Sequence, residues 1–374
     1  MNILIAPNSF KEVADSDKVA ALIRSYLQND STHSIETLPI SDGGDGFLNV
    51  CKSIFNLESL NYDITTPFDD TKFNCEVGYD SKEKKIYIES ARVLGLRVIP
   101  KKERKLLKLS SKGIGDLFIS IIEDIKNQKI DVKEVIIGIG GTGTNDLGLG
   151  VCSRFGLELY DIYGKKDTII PEYYYRIKDF NWKRPEFPFN IKVIQDVDNP
   201  LLGAKGAART FSPQKGADKG EVEVLELGFH KIINLLKKKQ LDRSFDKLSG
   251  AGGGLAAGFD IFFGASSISA GEFIRKELQL DSRLERADIV ITGEGSFDNQ
   301  SLNGKGAGIV VKRATDFGKK VILCCGKVEN GVRSSLADNV EIIEINSFFE
   351  SSAEAINSFE KGIEYTCNKI NSLL

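Results

Sequence analysis

Glycine falls in four tight clusters, and their positions constrain the fold more than any other feature of the chain. The clusters are SDGGDG (41–46), GIGGTGTNDLGLG (138–150), GAGGGLAAGF (250–259) and ITGEG (291–295). Several stand directly after apolar, strand-like runs such as VIIGIG and IVITG. Glycine at such a place lets the backbone turn sharply and approach a ligand closely. The 36 glycines are roughly 10% of the chain where ~7% is usual, and a flexible linker would spread them out.

The runs between the clusters alternate in period. Ile3 to Ala6 is a short apolar strand, and Asp15 or Ser16 can cap a helix with Val19, Leu22, Ile23, Tyr26 and Leu27 on one face. Near the other end DIVITG, KVILCC and EIIEI read as strands, and a last helix uses Ile356, Phe359, Ile363, Cys367 and Ile370. Strands alternating with helices imply an α/β fold with a doubly wound parallel sheet. The middle reads differently. Segments near 60–66, 73–79 and 85–90 suggest a strand meander turning at DSKEKK, and 161–190 suggests a solvated excursion with aromatic anchors.

A chain of 374 residues is too long for one ordinary domain and suits two. If the two ends form one sheet, residues 1–70 plus 285–374 make one doubly wound domain, with a second α/β domain, 71–284, inserted. Ligand loops would then meet near the carboxyl ends of the strands, in a cleft that closes.

Scarcities exclude several chemistries. Only His33 and His230 are present, neither in a metal or triad motif, which argues against Ser-His-Asp hydrolysis and His-ligated zinc. Six cysteines lack metal spacing and read as reduced thiols of a cytoplasmic protein. The net charge of -3 favours no nucleic acid, and no apolar run approaches the ~20 residues of a membrane helix.

Three kinds of loop carry chemistry. Gly138-Ile-Gly140-Gly141-Thr142-Gly143 matches G-x-G-x-x-G, with Glu158 about 20 residues on as a dinucleotide fold would have it. It also suits a nest of backbone N–H groups on phosphate, with the hydroxyls of Thr142 and Thr144 as further donors. Asp196 and Asp198 follow the strand IKVIQ, and paired carboxylates there can hold Mg²⁺ or simply form an Asx turn before Pro200. Asp42, Asp45, Lys11, Glu294, Asp298 and Lys305 repeat the theme of carboxylates and lysines in strand-end loops. That recurrence suits a metal–phosphate site.

The ordered set APNSFK (6–11), SDGGDG (41–46), GIGGTGTNDLGLG (138–150), DVDNPLLGAKGAARTFSPQKGA (196–217), GAGGGLAAGF (250–259) and DIVITGEGSFDNQSLNGK (288–305) resembles the type I bacterial glycerate kinases. The resemblance spans nearly the whole chain. It implies ATP-dependent phosphorylation of a hydroxyl of D-glycerate, Mg²⁺, and two α/β domains, one of them Rossmann-like and built from both chain ends. The chain departs from the family pattern at Asn8 (usually Asp), Asp45 (usually Glu), Ile114 in KGIGD (family YGTGE) and Ser296 (usually Arg).

On that resemblance Gly140, Gly141, Thr142, Thr144 and Asn145, with Lys215 and Lys305, are expected to bind the triphosphate. Asp196 and Asp198 would hold Mg²⁺. Lys11 and Ser9, with backbone near Gly43 and Gly44, would meet the carboxylate of glycerate. Asp298 and Asp42 are the candidate bases, with Asp196 a rival. The partner is then a small molecule, and a homo-oligomer stays open. The alternatives are a dinucleotide-dependent oxidoreductase and a catalytically idle binder of small carboxylates.

Overall fold

Ile3, Leu4 and Ile5 are all buried, as a central strand covered on both faces requires. The computed structural model describes residues 1–10, 13–27, 33–239 and 247–374. In chain order, the strands of the two main sheets begin with β1 (Asn2–Ile5), β2 (Ser34–Thr37), β3 (Glu58–Thr65), β4 (Lys72–Asp80), β5 (Lys85–Glu89) and β6 (Glu134–Gly138). They continue with β7 (Asn190–Gln195), β8 (Ser266–Ser269), β9 (Ile289–Thr292), β10 (Lys320–Cys325) and β11 (Val340–Glu344). Helices α1 (Ser16–Leu27), α2 (Phe47–Phe55), α3 (Lys112–Lys126), α4 (Asn299–Leu302), α5 (Ala307–Asp316) and α6 (Phe359–Leu373) accompany them.

The chain divides into two compact units. One comprises Met1–Asp42, Asn49–Ile54 and Ala270–Leu374; the other comprises Gly43–Leu48 and Phe55–Ser269. Residues 58–65, grouped with the chain ends in the sequence reading, pair with β4 in the second unit, and 270–284 belong to the first.

The first unit carries an all-parallel sheet in the order β11-β10-β9-β1-β2. From β1 the chain steps to β2 on one side, and the later strands stack on the other. The strand order therefore reverses between β1 and β9, the place where doubly wound sheets bind ligands. Val19, Ala20, Ile23 and Leu27 of α1 pack with Phe359, Ile363, Cys367 and Ile370 of α6 on Ile3, Ile5 and Ile291. Ile356, expected on the last helix face, is instead 55% exposed in the separate short helix Ser352–Asn357.

The second unit has a six-stranded mixed sheet, β8-β7-β6-β5-β4-β3. Strands β5 to β8 run parallel, and β3 and β4 form the expected hairpin side. The Asp80 carboxylate accepts from the N–H groups of Lys82 and Glu83, which closes the DSKEKK turn. The expected solvated loop after residue 160 is more ordered than its polarity suggested. Residues 158–160, 166–167 and 179–181 form a small antiparallel sheet. Tyr174 is buried beside it and donates to the Asp146 carbonyl at 3.2 Å.

Candidate active site

In the first unit β1 and β9 end side by side, with Asn8 N–H donating to the Gly293 carbonyl at 2.8 Å. The chain leaving β9 turns at Gly293 and presents Glu294. Its carboxylate accepts from Ser301 Oγ at 2.5 Å and from Asn8 Nδ2 at 3.4 Å. The backbone N–H of Ala307, at the start of α5, also reaches it. Burial pushes the Glu294 carboxyl up to about 7; the Ser301 and Asn8 hydrogen bonds pull it back, and the nearby charge of Asp42 raises it further.

Asp298 serves the same loop differently. Its Oδ1 accepts from Gln300 N at 2.7 Å and Ser301 N at 3.2 Å, so it caps α4. Ser301 Oγ accepts in turn from Asp298 N at 3.4 Å. The Lys305 ammonium donates to Gln300 Oε1 at 3.3 Å. Asn8, Asp42, Glu294, Asp298, Ser301 and Lys305 thus share one end of the first sheet. Lys11 lies outside the described residues.

In the second unit the carboxyl ends of β5, β6 and β7 stand in register, with Glu89 opposite Gly138 and Gly138 opposite Ile194. Gly43 and Gly44 of the SDGGDG turn lie on this edge. Gly140 N–H donates to the Gly43 carbonyl at 2.9 Å, and a Cβ on Gly140 would stand 2.6 Å from Gly44 Cα. Only glycine permits that backbone-to-backbone contact. Glu89, buried at the end of β5, accepts from Gly46 N and Leu48 N at 3.1 and 3.0 Å and starts α2.

The glycine-rich turn after β6 has an open part and a closed part. Gly140 and Gly141 reach the surface, whereas Thr142, Thr144 and Asn145 are buried. Lys215 is buried behind them; its ammonium donates to the Thr144 carbonyl at 2.8 Å and Asn145 Oδ1 at 2.6 Å. Asn145 Nδ2 passes the chain on to Ser212 Oγ at 2.6 Å. Burial pushes the Lys215 ammonium down to about 7, and Asp146 opposes this. Asp146 is fully enclosed, and its carboxylate accepts from the N–H groups of Ser111, Gly148 and Gly150. Lys215 therefore braces the turn from within, and the two threonines are buried in it.

Asp196 and Asp198 follow β7, the first half-buried and the second exposed. Beside them Gln195 Oε1 is buried without a hydrogen-bond partner, as are Ser90 Oγ and Thr144 Oγ1. Among the described residues no three acidic, histidine or cysteine side chains gather into a cluster. Mg²⁺ needs less than that, because it commonly takes one or two carboxylates and completes its shell with phosphate oxygens and water. The pair after β7 fits such an ion.

Sequence reasoning named Glu294 without a role and missed its partner Ser301. It also missed Glu89, the anchor of the SDGGDG turn. A reading of D-x-x-S after ITGEG as a helix cap would have singled out Ser301, through Asp298; no local pattern ties Glu89 to residues 46–48. The dinucleotide reading loses its structural basis, since Gly143 leads to the five-residue helix Leu149–Ser153 and Glu158 sits in the small antiparallel sheet.

Comparison with known proteins agrees with this geometry. The glycerate kinase family model matches residues 3–374. A glycerate kinase of Neisseria meningitidis serogroup B is 31% identical over 100% of this chain and 99% of its own length. A glycerate 2-kinase of Escherichia coli K12 is 30% identical over 92% of this chain and 87% of its own. A crystal structure described as a glycerate kinase 2 of Salmonella typhimurium LT2 superposes with TM-score 0.78 at 28% identity, covering 100% of this chain and 98% of that one. No helix among the described residues is long and apolar enough to cross a membrane. Matched along its whole length, the chain belongs to the glycerate kinase family and transfers a phosphoryl group to a hydroxyl of glycerate.

Proposed function

We propose that the donor is ATP with Mg²⁺, the acceptor D-glycerate, and the acceptor atom the 2-hydroxyl. The observation that carries the donor assignment is the open Gly140–Gly141 turn at the carboxyl end of β6. The Gly140 N–H is taken by the Gly43 carbonyl, so the Gly141 N–H is the backbone donor that this turn would offer to phosphate oxygens. Lys215 braces that turn from behind through Thr144 and Asn145, and Thr142 is buried in it. Asp196, with Asp198, would hold Mg²⁺, which when bound supplies positive charge against the phosphates. Lys305 offers a second cation to the triphosphate. Asp42 and Lys11, with Ser9, would receive glycerate. The E. coli relative, named a glycerate 2-kinase, supports the 2-hydroxyl. Six free, buried cysteines support a reducing, cytoplasmic setting.

The test is coupled ADP release with D-glycerate, ATP and titrated Mg²⁺, followed by phosphorus NMR of the product. Turnover that needs both glycerate and Mg²⁺, and yields 2-phosphoglycerate, is expected. ADP release no faster with glycerate than with water would overturn the donor and acceptor reading. 3-Phosphoglycerate would move the acceptor to the other hydroxyl. Asp196→Asn should raise the Mg²⁺ concentration needed for half-maximal rate, with partial recovery in excess metal.

A further inference from the structure

We propose that the carboxylate of Glu294, rather than that of Asp298, takes the proton from the substrate hydroxyl, and that Asp298 acts only by positioning Ser301 against it. The proposal rests on the ATP-dependent reading above. In the step, the hydroxyl oxygen bonds to the γ-phosphorus and the bond from that phosphorus to the bridging oxygen breaks. The electron pair leaves with ADP, and the hydroxyl proton passes to a Glu294 oxygen.

Placement comes first. Glu294 leaves the end of β9 and Asn8 the end of β1, the two strands between which the order of this parallel sheet reverses. A crevice at that point is where folds of this kind take ligands. Availability comes second. Asp298 Oδ1 already accepts two backbone N–H groups as the cap of α4, and moving it would unwind the start of that helix. Glu294 is engaged as well, but its three donors do not take all of the ~four lone-pair sites on its two oxygens. Ser301 Oγ holds Oε1 and Asn8 Nδ2 holds Oε2. A Cβ on Gly306 would stand 2.5 Å from both Asn8 Nδ2 and Glu294 Oε2, so this side of the carboxylate is walled by backbone.

The electrostatics agree with the geometry. Among the described residues, the titratable groups whose charge acts on Glu294 include Asp42 and the buried Cys325 thiol. A carboxyl held at about 7 lies close to the pH at which a base combines availability with driving force. The structural alternative is that Glu294 merely caps α5 through Ala307 N–H.

The pH dependence of kcat/KM for D-glycerate with Mg²⁺ and ATP, measured on the full chain, separates the readings. Glu294→Gln should lower kcat by about 100-fold or more and abolish the acid limb that the wild type shows near neutrality. Asp298→Ser, which keeps a capping oxygen, should lower kcat by less than Glu294→Gln does and keep the limb in place. Ser301→Ala removes a hydrogen bond that favours the charged form, so it should move the limb to higher pH. A purely structural Glu294 would leave the limb where it is in every variant. The proposal is overturned if Asp298→Ser loses as much rate as Glu294→Gln, or if Glu294→Gln keeps the limb and most of its kcat. If Glu294→Gln does not fold, an unmoved limb in Ser301→Ala overturns it alone. A wild type with no glycerate-dependent turnover refutes the donor and acceptor reading instead, and is recognised before any variant is compared.

Discussion

A lysine ammonium enclosed by protein is expensive unless carbonyl oxygens replace its water, and Lys215 meets two of them. Its sequence context, SPQKGA, suggested a cation for phosphate. The structure turns the side chain inward on Thr144 and Asn145 and leaves the surface of the turn to glycine. This has a consequence for stability. In the unfolded chain a lysine titrates near ~10.4, whereas in the fold burial brings Lys215 down to about 7. Between those values the folded state sheds a proton that the unfolded state keeps. The folded state therefore gains on the unfolded one as pH rises through that window, by at most ~1.4 kcal/mol per pH unit. Urea unfolding at pH 7.5 and 9.5 should show the wild type gaining on Lys215→Met as pH increases. Parallel behaviour of the two, or a relative loss by the wild type, would count against a depressed Lys215.

At the scale of elements, the buried end of β5 holds the turn that opens α2. Both oxygens of Glu89 are used there, on Gly46 N and Leu48 N, and Arg92 stands 3.4 Å from one of them. An amide offers one acceptor where the carboxylate offers two. Glu89→Gln should therefore strand one backbone N–H and cost about 1–3 kcal/mol of stability. Because the same turn places Gly43 and Gly44, the KM for glycerate should rise more than that for ATP. Unchanged stability and KM would show that the turn keeps its shape without this anchor. The contact was not legible from sequence, since it joins residues more than forty positions apart. What was legible is local in origin. The alternation of α1 and the strand-like DIVITG depend on near neighbours, and both appear as read. Ile356 fits the helical spacing of α6 but is severed from it at Ser358, where the helix begins anew. From sequence Asp298 is a candidate base, because a carboxylate in a glycine-flanked loop suits that role or a cap until its hydrogen bonds are known.

At the scale of the molecule, periodicity could say that parallel sheets exist but not which strands share one. That Ile3 pairs with Ile289 is a contact across most of the chain, expected from the like strand–helix alternation at the two ends and from motifs there that resemble one family. The two units carry separate hydrophobic cores, with Phe118, Phe229 and Phe259 in one and Ile5, Ile291 and Ile363 in the other. A chain with two cores need not unfold in one step. The single tryptophan, Trp182, packs edge-on against Phe262 and Phe263 in the second unit, so its fluorescence reports that unit alone. Circular dichroism at 222 nm reports the helices of both. If Gly140 and Gly141 bind the triphosphate, an ATP analogue with Mg²⁺ at about 100 times its Kd should stabilise the unit reported by Trp182 by ~2.7 kcal/mol. The fluorescence midpoint in urea should rise accordingly. Glycerate alone, assigned largely to loops of the first unit, should move the dichroism transition with a smaller change in fluorescence. If glycerate moved the fluorescence midpoint and the nucleotide left it in place, the assignments of the two ligands would have to be exchanged.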